Sequence, residues 1–138
     1  MLIRSVGDAI RGRDLPQISP AATIIEAAAV LEHYEIGAVV VMAEGRVLGL
    51  LSERDVLRRV VGQGLAPATV TVASAMTPDP VTVCESDPLA EAIAKMESGQ
   101  FRHLPVMDGR GTCLGLLSVR DIPAEYRIMY EHFRALTA

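Results

Sequence analysis

Hydrophobic residues along the chain fall either at the helical period or in short runs the length of a strand. Thr23 can cap a helix, because the apolar positions after it recur about every 3.6 residues: Ile24, Ala27, Ala28 and Leu31. Two apolar runs follow, over 38–42 and 47–51, separated by Glu44-Gly45. Runs of this length around a glycine turn predict a β-hairpin.

The segment that closes this hairpin occurs twice in the chain. The residues of Gly49-Leu50-Leu51-Ser52-Glu53-Arg54-Asp55 return as Gly115-Leu116-Leu117-Ser118-Val119-Arg120-Asp121, with six of seven identical at an offset of 66. After the first copy, a helix is predicted over 53–61 and is ended by Gly62 and Gly64. The chain therefore contains an internal repeat.

The second copy predicts the same elements in the same order. A helix over 88–98 precedes strands over 103–107 and 113–117, and a C-terminal helix follows. Before each hairpin copy the pattern predicts a short helix and then an extended stretch: 6–10 with 15–18, and 72–76 with 81–83. Between the last two, Pro78-Asp79-Pro80 predicts a turn.

These elements predict an α/β (α+β) fold. A unit of roughly 60 residues buries only about 60% of its unfolded surface, so two of them would share a core. We expect two pseudo-symmetric βαββα repeats, packed sheet to sheet in one compact unit, with two equivalent clefts for small ligands. The predicted division is repeat 1 at 1–65, a linker at 66–69, repeat 2 at 70–126 and a C-terminal amphipathic helix extension at 127–138.

Composition narrows the classes of protein. The net charge of −4 gives no general attraction to nucleic acid or anionic lipid. No apolar run reaches 18 residues, so a membrane span is not expected. Cys84 and Cys113 lack metal-ligand spacing and are interpreted as small hydrophobic residues. The first five residues lack the layout of a signal peptide, so we expect a cytoplasmic protein.

The repeated Ser-x-Arg-Asp element follows a strand and begins a helix. One interpretation is a capping box, in which serine and the acid three residues later satisfy free backbone N–H groups. The other is a ligand site, in which the helix start attracts an anion and the aspartate accepts the hydroxyls of a ribose. Both can hold at once. In the helix predicted over 53–61, Arg58 and Arg59 face either a phosphate or water, and we favour a solvated face.

The repeated elements, with two further motifs, resemble a pair of cystathionine-β-synthase (CBS) domains, the Bateman module. The resemblance covers about residues 6–126 and is closest to the small stand-alone bacterial type. The two further motifs are Met76-Thr77-Pro78 and Arg102-His103-Leu104-Pro105-Val106. The resemblance implies a regulatory pair that binds an adenosine-containing ligand (AMP, ADP, ATP, S-adenosylmethionine or a dinucleotide) and assembles as a dimer.

The same resemblance implies positions for the ligand. The ribose-binding Ser/Thr-x-x-Asp signature of the family matches Ser52 with Asp55, and Ser118 with Asp121. The adenine is expected near apolar residues at strand edges, and Thr77 is a weaker candidate contact. The apolar neighbourhoods are Ile18, Ala38, Val81 and Pro105.

The two copies differ at the start of the first hairpin strand. Copy two has Arg102 and His103 where copy one has Gly37 and Ala38. Arginine suits phosphate, and imidazole can also donate, so we expect the copy-two cleft, which also holds Arg120, to bind phosphate better. The alternatives are an exposed charge at a strand end for Arg102 and a partly buried, backbone-bonded ring for His103.

Pro123 interrupts the helix that should follow Ser118. Proline removes a backbone hydrogen bond inside a helix, so the helix either restarts at Pro123, with Asp121 acting as a cap, or bends there. From Ile122 onward, apolar residues form one helical stripe that covers either the chain's own sheet or a dimer interface. The stripe comprises Ile122, Tyr126, Met129, Tyr130, Phe133 and Leu136.

The expected function is a non-catalytic regulatory module that binds an adenosine-containing ligand in the clefts. It would signal through repeat orientation or dimer state to an unidentified regulated protein. The alternative is a structural or interaction adaptor with empty clefts. An enzyme is disfavoured because the sequence has no nucleophile elbow, P-loop or dinucleotide fingerprint. Nucleic-acid and membrane partners are not expected.

Overall fold

The computed structural model describes residues 5–137 and shows a mixed α/β fold with two sheets. Residues 1–4, on which the signal-peptide interpretation depends, lie outside the described residues. The helices are α1 Val6–Ile10, α2 Ile24–Tyr34, α3 Glu53–Asp55, α4 Val72–Ala75, α5 Leu89–Gly99 and α6 Ala124–Thr137. The strands are β1 Gln17–Ile18, β2 Ala38–Ala43, β3 Arg46–Ser52, β4 Thr77–Pro78, β5 Val83–Cys84, β6 His103–Met107 and β7 Cys113–Ser118.

The chain forms two compact units, each built around one hairpin. The hairpin-1 unit comprises residues 14–80, and the hairpin-2 unit comprises residues 1–13 and 81–138. The short helix that precedes each hairpin copy in sequence thus belongs to the unit of the other hairpin. The two units therefore have different boundaries from the sequence repeats at 1–65 and 70–126, because the short helices change places.

The hairpin-1 unit has a four-stranded sheet in the order β1-β2-β3-β4. Strand β1 is parallel to β2, and the other neighbours are antiparallel. The predicted helix after Thr23 is confirmed, because the Thr23 side chain accepts the Glu26 N–H and α2 buries Ile24, Ala27 and Leu31. Burial of an apolar helical face against the sheet is what stabilises such a helix.

Two details of this unit differ from the sequence prediction. Pro78 belongs to β4 rather than to a turn, and only Asp79, with φ of 46°, turns the chain. The helix predicted over 53–61 instead continues as a π turn, Val56–Val60, and a 3₁₀ turn, Val61–Gln63. Gly64, with φ of 73°, ends it, since glycine adopts this conformation without a steric penalty.

The hairpin-2 unit has a three-stranded sheet in the order β5-β6-β7, with β5 parallel and β7 antiparallel to β6. Pro105 lies in the central strand, where a missing N–H is normally unfavourable. Because β5 pairs only with Val106 and Met107, the proline lies just before that pairing begins. The core combines α1, α5 and the sheet, with Leu89, Leu104 and Leu117 fully buried.

The helix restarts after Pro123, which was one of the two predicted outcomes. Residues Val119–Asp121 form a 3₁₀ turn, Ile122 is extended, and α6 begins at Ala124. Asp121 caps the turn that follows Ser118 rather than α6, so its predicted role as the cap of the restarted helix is wrong. Among the described residues, no helix is long and apolar enough to cross a membrane.

The C-terminal stripe divides between two environments. Ile122 is buried, and Tyr126 and Tyr130 pack against the core of the hairpin-2 unit, as the core interpretation predicts. Met129 and Phe133 are each 65% exposed. The dimer interpretation therefore stays a prediction for the exposed part of the stripe only.

Candidate functional site

Both Ser-x-x-Asp elements are capping boxes, so the capping interpretation is confirmed. In the hairpin-1 unit, Ser52 Oγ accepts the Asp55 N–H at 3.1 Å, and Asp55 Oδ2 accepts the Ser52 N–H at 3.0 Å. In the hairpin-2 unit, Asp121 Oδ2 accepts the Ser118 N–H at 2.7 Å, and Ser118 Oγ accepts the Arg120 N–H at 3.2 Å. Each cap fixes its aspartate and occupies one carboxylate oxygen, Oδ2.

The second oxygen of Asp55 faces a hydroxyl and a guanidinium. The Thr77 hydroxyl donates to Asp55 Oδ1 at 3.5 Å, and Arg59 Nε lies 3.7 Å from the same oxygen. Arg59 also donates from Nη1 to the Met76 carbonyl at 3.0 Å. Arg59 is 50% exposed, in agreement with the solvated face that we favour, and its guanidinium also ties Asp55 to the segment that carries Thr77.

A repeated glycine allows Thr77 to reach this position. Strand β4 pairs with β3 through Gly49 opposite Pro78 and Leu50 opposite Thr77. A Cβ atom on Gly49 would lie 2.8 Å from the Thr77 carbonyl oxygen and 2.5 Å from Met76 Sδ. Carbon atoms pack at about 3.5–4.0 Å, so only glycine fits here without a shift.

The second oxygen of Asp121 pairs with a residue that the sequence analysis did not single out. Arg13 donates from Nη1 to Asp121 Oδ1, across 108 residues of sequence. The repeat could have pointed to this residue. Arg11-Gly12-Arg13 follows α1, and the equivalent segment 66 residues later, Thr77-Pro78-Asp79, follows α4. In both units, the segment after the short helix therefore approaches the Ser-x-x-Asp aspartate.

The hairpin-1 unit brings Ala38 to the site and leaves Ile18 farther away. Ala38 is fully buried at the start of β2, directly opposite Ser52. The residue after that serine, Glu53, donates its N–H to the Gly37 carbonyl at 2.9 Å. Ile18 pairs with Val41, three residues along β2 from Ala38, so strand register does not place it beside Ser52.

The hairpin-2 unit repeats this arrangement. His103 lies opposite Ser118, and Val119 donates its N–H to the Arg102 carbonyl at 2.9 Å. Pro105 is buried and pairs with Leu116, two residues farther from the serine.

The remaining predicted contacts of this unit are at the surface. Arg102 and Arg120 are exposed, and Val81, two residues before β5, is 42% exposed. The described residues contain no group of three or more His, Cys, Asp or Glu side chains that could hold a metal ion. The structure establishes the positions of these residues, and their contacts with a ligand stay predictions.

Two α/β units, each with a hairpin that ends in a capped Ser-x-x-Asp element, define a pair of CBS domains. The CBS domain family matches residues 6–62 and 72–125. The chain belongs to the CBS domain family, as the resemblance in the sequence predicted.

Individual relatives match much of the chain. Protein MK0525 of Methanopyrus kandleri is 34% identical over 119 residues, which are 86% of this chain and 60% of MK0525. The CBS domain-containing protein CBSCBSPB5 of Arabidopsis thaliana is 34% identical over 72% of this chain, and the match spans only 18% of that protein.

Solved structures show the same fold. The CBS domain protein PAE2072 of Pyrobaculum aerophilum, complexed with AMP, superposes with a TM-score of 0.82 and 31% identity over 92% of this chain and 96% of that one. The CBS domain-containing protein ATU1752 of Agrobacterium tumefaciens gives a TM-score of 0.77 and 38% identity over 86% and 95%.

Proposed function

We propose that this CBS pair is a non-catalytic regulatory module that binds an adenosine-containing ligand through Asp55 and Asp121. The observation that carries the proposal is the state of the two carboxylates. Each is only 13% or 10% exposed, is fixed by its cap through Oδ2, and keeps Oδ1 directed at polar groups. A fixed carboxylate oxygen of this kind accepts the hydroxyls of a ribose.

The relative complexed with AMP supports an adenine nucleotide as the ligand. S-adenosylmethionine and dinucleotides share the adenosine moiety and stay within the proposed class. The output that we propose is a change in repeat orientation or in dimer state, which a regulated protein would sense. Such a shift requires that the ligand bind the two states with different affinity.

Isothermal titration calorimetry with AMP, ADP, ATP and S-adenosylmethionine tests the proposal. Asp55→Ala and Asp121→Ala should each remove binding at one site, because each deletes the ribose acceptor. The matched control is Asp87→Ala, since Asp87 Oδ2 accepts the Cys84 N–H at 3.0 Å in the same i to i+3 geometry but outside the Ser-x-x-Asp elements. This control should keep both sites.

Three outcomes would contradict the proposal or part of it. Absence of binding by any of these ligands at millimolar concentration would favour the interaction adaptor. Equal losses from Asp87→Ala and from the Asp55 and Asp121 variants would show that the aspartates act only through folding. Identical changes in affinity for AMP in Asp55→Ala and Asp121→Ala would refute the predicted preference of the copy-two site for phosphate.

A further inference from the structure

The Oδ1 atoms of the two aspartates face different cations. Arg59 lies 3.7 Å from Asp55 Oδ1 and directs Nη1 to the Met76 carbonyl, so its guanidinium is shared with the backbone. Arg13 donates directly to Asp121 Oδ1. The two proposed ribose acceptors are therefore not equivalent, although their capping boxes are alike.

The Arg13 guanidinium is at the surface while the carboxylate that it contacts is not. The Arg13 side chain is 53% exposed, against 10% for Asp121. A guanidinium carries five N–H donors, and the bond to Asp121 uses the Nη1 group, so the remaining N–H groups can serve a further acceptor. Arginine binds carboxylate and phosphate through the same planar donor arrangement.

Charge makes the contact selective. A ribose held on a bare Asp121 carboxylate would bring its phosphate toward a negative charge, whereas Arg13 neutralises that charge and offers donors to the phosphate. Every adenosine-containing ligand must share Oδ1 with Arg13, but only a phosphorylated one gains contacts with the remaining donors of the guanidinium. The guanidinium thus favours the phosphorylated class of ligand.

We infer that Arg13 is a specificity-determining residue, which makes the Asp121 site select phosphorylated adenosine ligands over unphosphorylated ones. The inference rests on the proposed function, because it assumes that Asp121 accepts ribose hydroxyls. The Asp55 site, whose arginine lies 3.7 Å from Oδ1 and is directed to the Met76 carbonyl, discriminates less.

The test compares the affinities for AMP and adenosine by isothermal titration calorimetry in an Asp55→Ala background, which leaves the Asp121 site to report. Arg13→Gln should weaken AMP binding roughly tenfold, the usual size of a charge-assisted hydrogen bond, and leave adenosine binding unchanged or tighter. The matched control is Arg11→Gln, because Arg11 is 63% exposed on the same segment and pairs with Asp8 instead. This control should keep the AMP-to-adenosine ratio.

An unchanged ratio in Arg13→Gln, or an equal loss of both ligands, would overturn the inference while leaving the proposed function in place. Failure of both AMP and adenosine to bind the Asp55→Ala and unmodified proteins would instead overturn the proposed function, and this inference with it. Thermal melting checks the fold of each variant. Where Asp55→Ala does not fold, Asp55→Asn keeps an acceptor for the cap and serves as the background.

Discussion

Replacing Gly49 by alanine tests the steric argument on which the position of Thr77 depends. The new Cβ would lie 2.8 Å from the Thr77 carbonyl oxygen, which is backbone and cannot rotate away. The equivalent glycine of the second copy, Gly115, is a matched comparison, because its Cβ would lie 2.8 Å from the Ile10 Cδ1 methyl group. That methyl is the far end of a flexible side chain. Neither glycine has a positive φ, so alanine can adopt both backbones.

The two substitutions should differ in free energy of unfolding. Forcing an atom into a packed site costs about 1–3 kcal/mol, and replacing glycine returns about 0.4–1 kcal/mol by restricting the unfolded chain. Gly49→Ala, with a backbone clash, should therefore destabilise by about 1–2 kcal/mol. For Gly115→Ala, rotation of Ile10 about χ2 moves Cδ1 away and offsets most of the clash, and we expect a change within about 0.5 kcal/mol of zero.

Urea denaturation followed by circular dichroism measures both values, and Gly49→Ala should also lower Tm by about 4–8 °C. Gly109→Ala is the neutral control, since no atom lies within 4 Å of its added Cβ. Equal destabilisation by Gly49→Ala and Gly115→Ala would refute the reasoning. So would a Gly49→Ala protein as stable as the Gly109→Ala control.

Two further predictions concern the cysteines and α6. Burial raises the pKa of the Cys113 thiol, so a thiol reagent at neutral pH should modify half-buried Cys84 first and Cys113 only on unfolding. Equal labelling rates for the two cysteines would contradict this order. Because the pKa of Cys113 is raised in the folded state, its stabilising contribution is present below the unfolded pKa and is lost as pH rises through the folded pKa. If the exposed stripe forms the predicted homodimer, Met129→Glu with Phe133→Glu should halve the mass in light scattering without lowering Tm. An unchanged dimer mass would exclude α6 as the interface.

Local pattern was enough to predict most of the elements. The apolar period after Thr23 predicted α2, and paired apolar runs around a glycine turn predicted both hairpins, because amphipathic periodicity and turn chemistry act over a few residues. The π turn at Val56–Val60 was missed, since a change in helical hydrogen bonding leaves no distinct sequence pattern. Strand β4 was missed because it has only two residues, and one of them is Pro78, which in Pro78-Asp79-Pro80 suggested a turn.

The candidate site was also predicted only in part. The Ser-x-x-Asp spacing predicted both capping boxes, because an N-cap and the residue three positions later lie within hydrogen-bond reach of each other at the start of a helix. The pairing of Arg59 with the segment at Met76 and of Arg13 with Asp121 was not predicted. These contacts join residues 17 and 108 positions apart, and no local rule specifies which arginine will be the neighbour.

The amino-acid sequence by itself determined the repeat, the two hairpins and the caps, since each depends on side chains within one or two turns of chain. Only the tertiary structure decided which short helix joins which hairpin and which cation faces each aspartate. These choices depend on packing between segments remote in sequence, where shape and burial select the partner. The two aspartates therefore share one local geometry and differ in their long-range surroundings.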